Sequence, residues 1–191
     1  MNELELIAQL RKGDQAAFKQ IVDTWQDMVY NTSLGIVQSP EDAEDVAQEV
    51  FVQVYESINQ FKGDSKFSTW LYRIAVTKSL DHLRKKKRKK RFAFIQSLFG
   101  ANEEEVRHQP DFHHPGVNLE NKENAAVLFK AIEKLPDNQK TAFTLHKLEG
   151  LSYQEIAEIM ETTVSSVESL MHRAKGNLKK ILADYYQNLE G

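Results

Sequence analysis

Apolar residues recur at helical spacing along most of the chain, and the pattern predicts an all-α protein. Leu4, Leu6, Ile7 and Leu10 lead into a break at Gly13-Asp14. A second helix starts near Gln15, with Phe18, Ile21, Val22, Trp25, Val29 and Leu34 on its buried side. Ser39-Pro40-Glu41-Asp42 opens a third: Ser caps, Pro is tolerated in the first turn, and the acids suit the N-terminal dipole. That helix, 41–58, has a core stripe of Ala43, Val46, Ala47, Val50, Val54 and Ile58. Asp45, Gln48, Glu49 and Val52 share another face at i, i+3, i+4 and i+7, which on pattern alone reads as a solvated surface.

Residues 61–66 form a turn-rich loop, and a helix over 67–91 follows with Ser65 or Ser68 as its cap. At 100° per residue its outer face collects Lys66, Trp70, Arg73, Thr77 and Arg84, with Asp81 at the edge. Tyr72, Val76, Leu80 and Leu83 make the opposite stripe. Trp70 among polar neighbours is either half-buried packing or a stacking surface. Residues 92–120 lose periodicity and carry Gly100, Pro110, Pro115 and Gly116, as a linker does. Within them, His108, Asp111, His113 and His114 have no fixed spacing that a metal site requires, so no metal or other cofactor is expected.

Helices return from 121. Ala126, Leu128, Phe129, Ile132 and Leu135 make one, and Pro136-Asp137 starts the next, with Ala142, Phe143, Leu145 and Leu148 inward until Gly150. Ser152 and Glu155 make a capping box for a short helix burying Ile156, Ala157 and Met160. The last helix turns Val167, Met171, Ala174, Leu178 and Leu182 inward and Ser165, Ser166, Ser169, His172 and Arg173 outward. The pair has helix-turn-helix spacing, in which the second helix enters the major groove and Ser or Arg meets base edges. The same spacing also serves simple core packing.

Charge sharpens the picture. Residues 84–91 are eight consecutive Lys or Arg; without them 17 basic residues face 28 acidic ones, a balance of −11. The positive field is therefore aimed. The run is a phosphate-binding surface, a solvated helix end or a tail, and the aromatics before it favour opened nucleic acid. The 191 residues contain no cysteine, which removes disulfides and thiolate chemistry. No secretory signal and no apolar run of membrane-spanning length is read, and no motif of a hydrolase, P-loop or metalloprotease is present, so an enzyme is not expected.

Four segments carry a family resemblance. They are residues 42–49 (DAEDVAQE), 67–75 (FSTWLYRIA), 81–84 (DHLR) with the basic run, and 152–157 (SYQEIA) with the last helix. Together they resemble the extracytoplasmic-function (ECF) group of the sigma-70 family of bacterial RNA polymerase. The resemblance implies two small helical domains, a region 2 domain at 1–92 and a region 4 domain at 121–191, joined by a flexible linker at 93–120. It implies that Asp45, Gln48 and Glu49 contact the β′ clamp helices of core polymerase. It places Lys62, Ser65, Lys66, Phe67, Trp70, Arg73, Thr77, Lys78, Arg84 and Lys85 along the −10 promoter element, with the loop at 61–66 receiving a flipped base. It gives Ser165, Ser166, Ser169, His172, Arg173 and Lys175 to the −35 element, and the second domain also to the β flap. An anti-sigma factor as a further partner and a cytoplasmic location follow from the same resemblance.

The chain departs from the family pattern at Thr77, where Asn is frequent, at Glu161, where the turn often has Gly, and at Glu168 and Leu170, where Lys or Arg is common. Two other functions fit parts of the sequence. A stand-alone helix-turn-helix regulator would bind duplex DNA without polymerase, and leaves the aromatic loop and the Asp45 face without a task. A nucleic-acid-processing enzyme would need a metal or base constellation.

Overall fold

The computed structural model describes residues 2–98 and 122–187. Among them are helices α1 (Glu3–Arg11), α2 (Gln15–Val37), α3 (Pro40–Ser57) and α4 (Phe67–Leu98), with a 3-10 turn at Ile58–Gln60 between the last two. After residue 121 come α5 (Lys122–Glu133), α6 (Asp137–Lys147), α7 (Tyr153–Ile159) and α8 (Val164–Gln187), and the described residues contain no strand. The all-α expectation is met. None of these helices is long and apolar enough to cross a membrane.

Local chemistry sets the helix ends. The Asp14 carboxylate accepts from the Ala16 and Ala17 N–H groups at 2.7 and 3.2 Å, and Ser39 Oγ accepts from Asp42 N–H at 3.3 Å. Each satisfies donors that the first helical turn leaves free. Asn2 and Glu5 form a capping box on α1 that the periodicity had not indicated. Gly150, at φ +72°, supplies the left-handed residue after α6.

The first core gathers Leu6, Ile7, Leu10, Ile21, Val46, Val50, Val54, Phe67 and Leu71 from α1–α4. Leu4 is 75% exposed because it lies off the row made by Leu6, Ile7 and Leu10. Phe18, Val22 and Trp25 are only partly buried at the edge of this core. The second core is built on Phe129, Ile132, Leu145, Ile156, Val167, Met171 and Ala174. Ile159 is buried with it, whereas Met160 is half-buried.

Two findings go beyond the periodicity. First, α4 continues past Arg91 to Leu98, so residues 93–98, expected in the linker, are helical. Lys and Arg are good helix formers, and no Gly or Pro interrupts the chain before Gly100. The four-residue His/Asp group of the linker lies outside the described residues. Second, Ile36, Tyr72 and Val76 belong to the second core, so α2 packs on α6 and α4 on α7. Tyr72 and Val76 of the stripe opposite Trp70 are buried against the C-terminal helices, whereas Leu83 packs against both cores.

Candidate nucleic-acid interface

On α3, Ala43, Val46, Val50 and Val54 are buried, which turns the intervening residues outward. Asp45, Gln48 and Glu49 are all exposed, as their spacing predicted. Val52 beside them is 56% exposed and Tyr55 46%, so the polar face carries apolar area as well. An exposed Val next to fixed charges on a rigid helix has the composition of a docking surface.

The loop at 61–66 is held from beneath. Phe61 and Phe67 meet edge-on at 5.5 Å between centroids, Trp25 meets Phe67 at 5.1 Å, and Trp70 lies 5.3 Å from Phe61 and 5.6 Å from Phe67. An Arg11 Nη2 donates to the Phe61 carbonyl, which ties α1 to the loop. Phe67, expected along the promoter face, is fully buried at the centre of this aromatic group. It starts the i, i+4 row continued by Leu71 and Ala75, so its ring supports the surface and does not form it. Neither expected serine is shown capping α4: the Ser65 hydroxyl donates to the Lys66 carbonyl at 3.4 Å, and that carbonyl accepts the first helical bond from Trp70.

Trp70 is half-buried, with one face on the aromatic group and one edge in an open depression of about 360 Å³. Arg73, Thr77 and Lys78 line the same depression, and so does Glu161 of the helix-turn-helix. The structure thus brings Trp70, Arg73, Thr77 and Lys78 together. Lys62 is exposed on the loop and does not line the depression, and Lys66 is exposed with its ammonium 4.0 Å from Glu155.

The basic run is not uniformly free. Lys86 pairs with Asp42, which also lies 3.0 Å from His82, and Lys87 reaches Asp137 at 2.8 Å. Burial works to raise the Asp42 carboxyl, but hydrogen bonds and charge from Lys86 and then His82 outweigh it and hold it below the usual carboxylate range. Arg84 bonds its neighbour Asp81 at 2.8 Å, and Lys85 is exposed. Pairs across 44 and 50 residues of chain leave no local signal in a sequence.

In the C-terminal helices the capping box is formed: Ser152 Oγ accepts from Glu155 N–H at 3.3 Å, and Glu155 accepts from Ser152 N–H at 3.0 Å. Those bonds hold the Glu155 carboxyl below its ordinary value. Thr163 caps α8 by accepting from Ser166 N–H at 3.1 Å, and its hydroxyl lies 2.9 Å from Ser166 Oγ. Ser166, expected outward, is therefore half-buried and engaged with the cap. Ser165, Ser169, His172, Arg173 and Lys175 are exposed, with the Arg173 Nε donating to the Ser169 carbonyl at 3.2 Å.

The turn before α8 places Glu161 at φ +51°, the left-handed region that glycine enters without steric cost. Glu161→Gly is expected to be neutral to stabilising by up to about 1 kcal/mol, because relief of the Cβ clash exceeds the added chain entropy. Urea unfolding checks it; a clear loss of stability would mean that the Glu161 side chain contributes more than its backbone strain costs.

Comparison with known proteins agrees with this geometry. The family described as Sigma-70 region 2 matches residues 21–89, and Sigma-70, region 4 matches residues 126–178. Helices that present one polar face from α3, an aromatic-basic face from α4 and a helix-turn-helix thus define a sigma-70 protein. The chain is 37% identical to the ECF RNA polymerase sigma-E factor of Haemophilus influenzae, covering 92% of each chain. It is 36% identical to the sigma-E factor of Escherichia coli K12 over 89% of this chain and 88% of that one. It is 33% identical to the RNA polymerase sigma-H factor of Pseudomonas aeruginosa over 93% and 92%. The chain belongs to the ECF RNA polymerase sigma factors. Among solved structures, CnrH in complex with the cytosolic domain of CnrY shares the fold at TM-score 0.63 and 24% identity, covering 94% of this chain and 96% of that one. RpoE of Bartonella quintana, in complex with the anti-sigma factor NepR, does so at TM-score 0.63 and 22% identity, covering 87% and 96%.

Proposed function

We propose that this sigma factor recruits bacterial core polymerase through Asp45, Gln48 and Glu49 of α3 and reads opened −10 DNA with the outer face of α4. The exposed residues of α8 read the −35 major groove. The reading divides the chain into a region 2 domain at 1–92, a linker at 93–120 and a region 4 domain at 121–191. The chain works in the cytoplasm and carries out no reaction of its own. Opening of DNA comes from trapping unpaired bases, since extruding a base costs only a few kcal/mol that stacking and phosphate contacts offset. Phe67 acts beneath that surface, and Ser166 through the cap of α8. The fold neighbour solved with NepR supports an anti-sigma factor as a partner here too.

The observation that carries the reading is the convergence of Trp70, Arg73, Thr77 and Lys78 on one open depression above a rigid aromatic support. Base stacking, cation and hydroxyl contacts are what an unpaired strand needs. In vitro transcription with bacterial core polymerase tests it. Trp70→Ala is expected to slow open-complex formation by about tenfold or more, in line with ~1–3 kcal/mol for stacking one base, while core affinity changes less than about twofold. Equal loss of both, or a matching fall in melting temperature, identifies Trp70 as a packing residue only. Tight duplex binding with no core-dependent initiation from any genomic promoter fragment would instead favour the stand-alone regulator.

A further inference from the structure

The outward face of α8 carries one group of the wrong sign for a polyanion. Glu168 is exposed in the second turn of the helix and is shown in no hydrogen bond or ion pair among the described residues. With Ser169, His172 and Arg173 it lines one open depression of about 540 Å³. At 100° per residue Ser165, Ser169, His172 and Gly176 share a sector about 60° wide, with Glu168 on one flank and Arg173 on the other. Glu168 is the only charged residue of α8 before His172. The lysines come later: Lys175, Lys179 and Lys180 are exposed on the following turns.

Two further features point to a closely approaching partner on this face. Gly176 lies inside a 24-residue helix, where glycine weakens the helix, and a Cβ built there would meet nothing within 4 Å. Packing among the described residues gives no reason for it, whereas a partner laid along the helix does. Arg173 Nε donates to the Ser169 carbonyl at 3.2 Å, which draws the guanidinium back over the preceding turn. The planar fork is thereby fixed with its two Nη groups free to donate to a partner.

We propose that Glu168 is a base-reading residue of α8 and selects a C·G pair in the −35 element by accepting a hydrogen bond from the cytosine N4 amino group. The proposal rests on the assignment of α8 to that groove, and adds to it a residue and the base it chooses. A carboxylate close to phosphates weakens binding to every sequence unless a donor meets it. In the major groove guanine offers the acceptors N7 and O6, and thymine offers the acceptor O4 and a methyl group. Both are closed to a carboxylate. Adenine N6 donates, but it lies between two acceptors, its own N7 and the O4 of thymine. Cytosine N4 has an acceptor on one side only, so it is the donor a carboxylate meets with least repulsion. Arg173, in the same depression, suits guanine through its paired Nη donors. Glu168 thus lowers general affinity for DNA and sharpens the choice of base.

The experiment uses the full chain assembled with bacterial core polymerase. Promoter fragments with the −35 segment randomised are selected for open-complex formation, and the bound and unbound pools are sequenced. Wild type should prefer a C·G pair over the other pairs by about tenfold at one position, the usual effect of one mismatched pair. Glu168→Gln should move the preference at that position to A·T, because a carboxamide accepts from adenine N6 and donates to N7. Glu168→Ala should flatten it to within about twofold and leave the other positions as they were. Both variants should bind non-cognate duplex more tightly than wild type, since a charge of the phosphates' own sign is gone. An unchanged base profile with uniformly tighter binding overturns the proposal and makes Glu168 a solvated acid. If Arg173→Ala erases a guanine preference at a second position while the Glu168 variants change none, this inference alone falls. If wild type shows no preference anywhere in the segment, the assignment of α8 falls with it.

Discussion

Replacing Phe67 by Ala is expected to lower stability by about 3–5 kcal/mol, the usual cost of removing a buried aromatic ring. Phe67 has no exposed surface and touches Trp25, Phe61 and Trp70 in one aromatic group. Edge-on ring pairs add roughly 0.5–1.5 kcal/mol beyond area burial, and no small side chain can restore them. Because domains are stable by only ~5–15 kcal/mol, the variant should unfold partly at physiological temperature. The functional loss follows from geometry: without Phe67 the Arg11 tether and the Phe61–Trp70 ring contact remain, but both rings lose the one packed against them from below. Urea unfolding monitored by tryptophan fluorescence measures it. A cost below about 1 kcal/mol would show that the group repacks and that the loop is positioned by other contacts.

The second large effect concerns polymerase. Converting Asp45 and Glu49 to Arg and Gln48 to Ala should weaken core binding by about a hundredfold or more, because reversing charge at a complementary docking surface brings like charges together at a cost of several kcal/mol. All three side chains are exposed and none is shown in a hydrogen bond or ion pair, so the melting transition should move by less than the equivalent of ~0.5 kcal/mol. Titrating labelled variant into core polymerase, with melting followed in parallel, separates the two. Unchanged core affinity would remove this face from the polymerase contact. The pairing of a large binding loss with an intact fold is the signature that distinguishes α3 from the Phe67 group, where stability and function fall together.

Much of this architecture is written locally. The Asp14, Ser39 and Ser152 caps act within three residues of themselves, so their helices start where the residues say. The face of Asp45, Gln48 and Glu49 follows from a repeat within one helix, and its exposure from the Val46, Val50 and Val54 row behind it. Phe67 is placed along the promoter face by the family resemblance and not by this repeat, and its ring is buried. At the first turn of a helix the direction of a side chain depends on how the helix is seated, and the pattern has no preceding turn to constrain it. Ser166 is less exposed than its period predicted for another reason: Thr163 engages its N–H and its hydroxyl.

The stretch from Phe67 onward shows both kinds of information. Its helical character, its aromatic start and its cationic end are properties of neighbouring residues, and the chain by itself determined them. It also determined the two helices of the helix-turn-helix, through short-range caps and a 3.6-residue period. Which face of α4 meets solvent was decided only by tertiary structure. Tyr72 and Val76 read as an internal stripe, yet they close against α7 and the loop after α6, and Arg73 on the other side is held by Glu158. Lys86 and Lys87 read as free cations, yet Asp42 and Asp137 neutralise them from distant segments. Such contacts depend on how rigid helices are brought together, and their energy comes from desolvation and charge between groups with no sequence proximity. That is why the sequence alone could name the surfaces of this sigma factor, and only the packed chain could show one of its domains resting on the surface assigned to DNA.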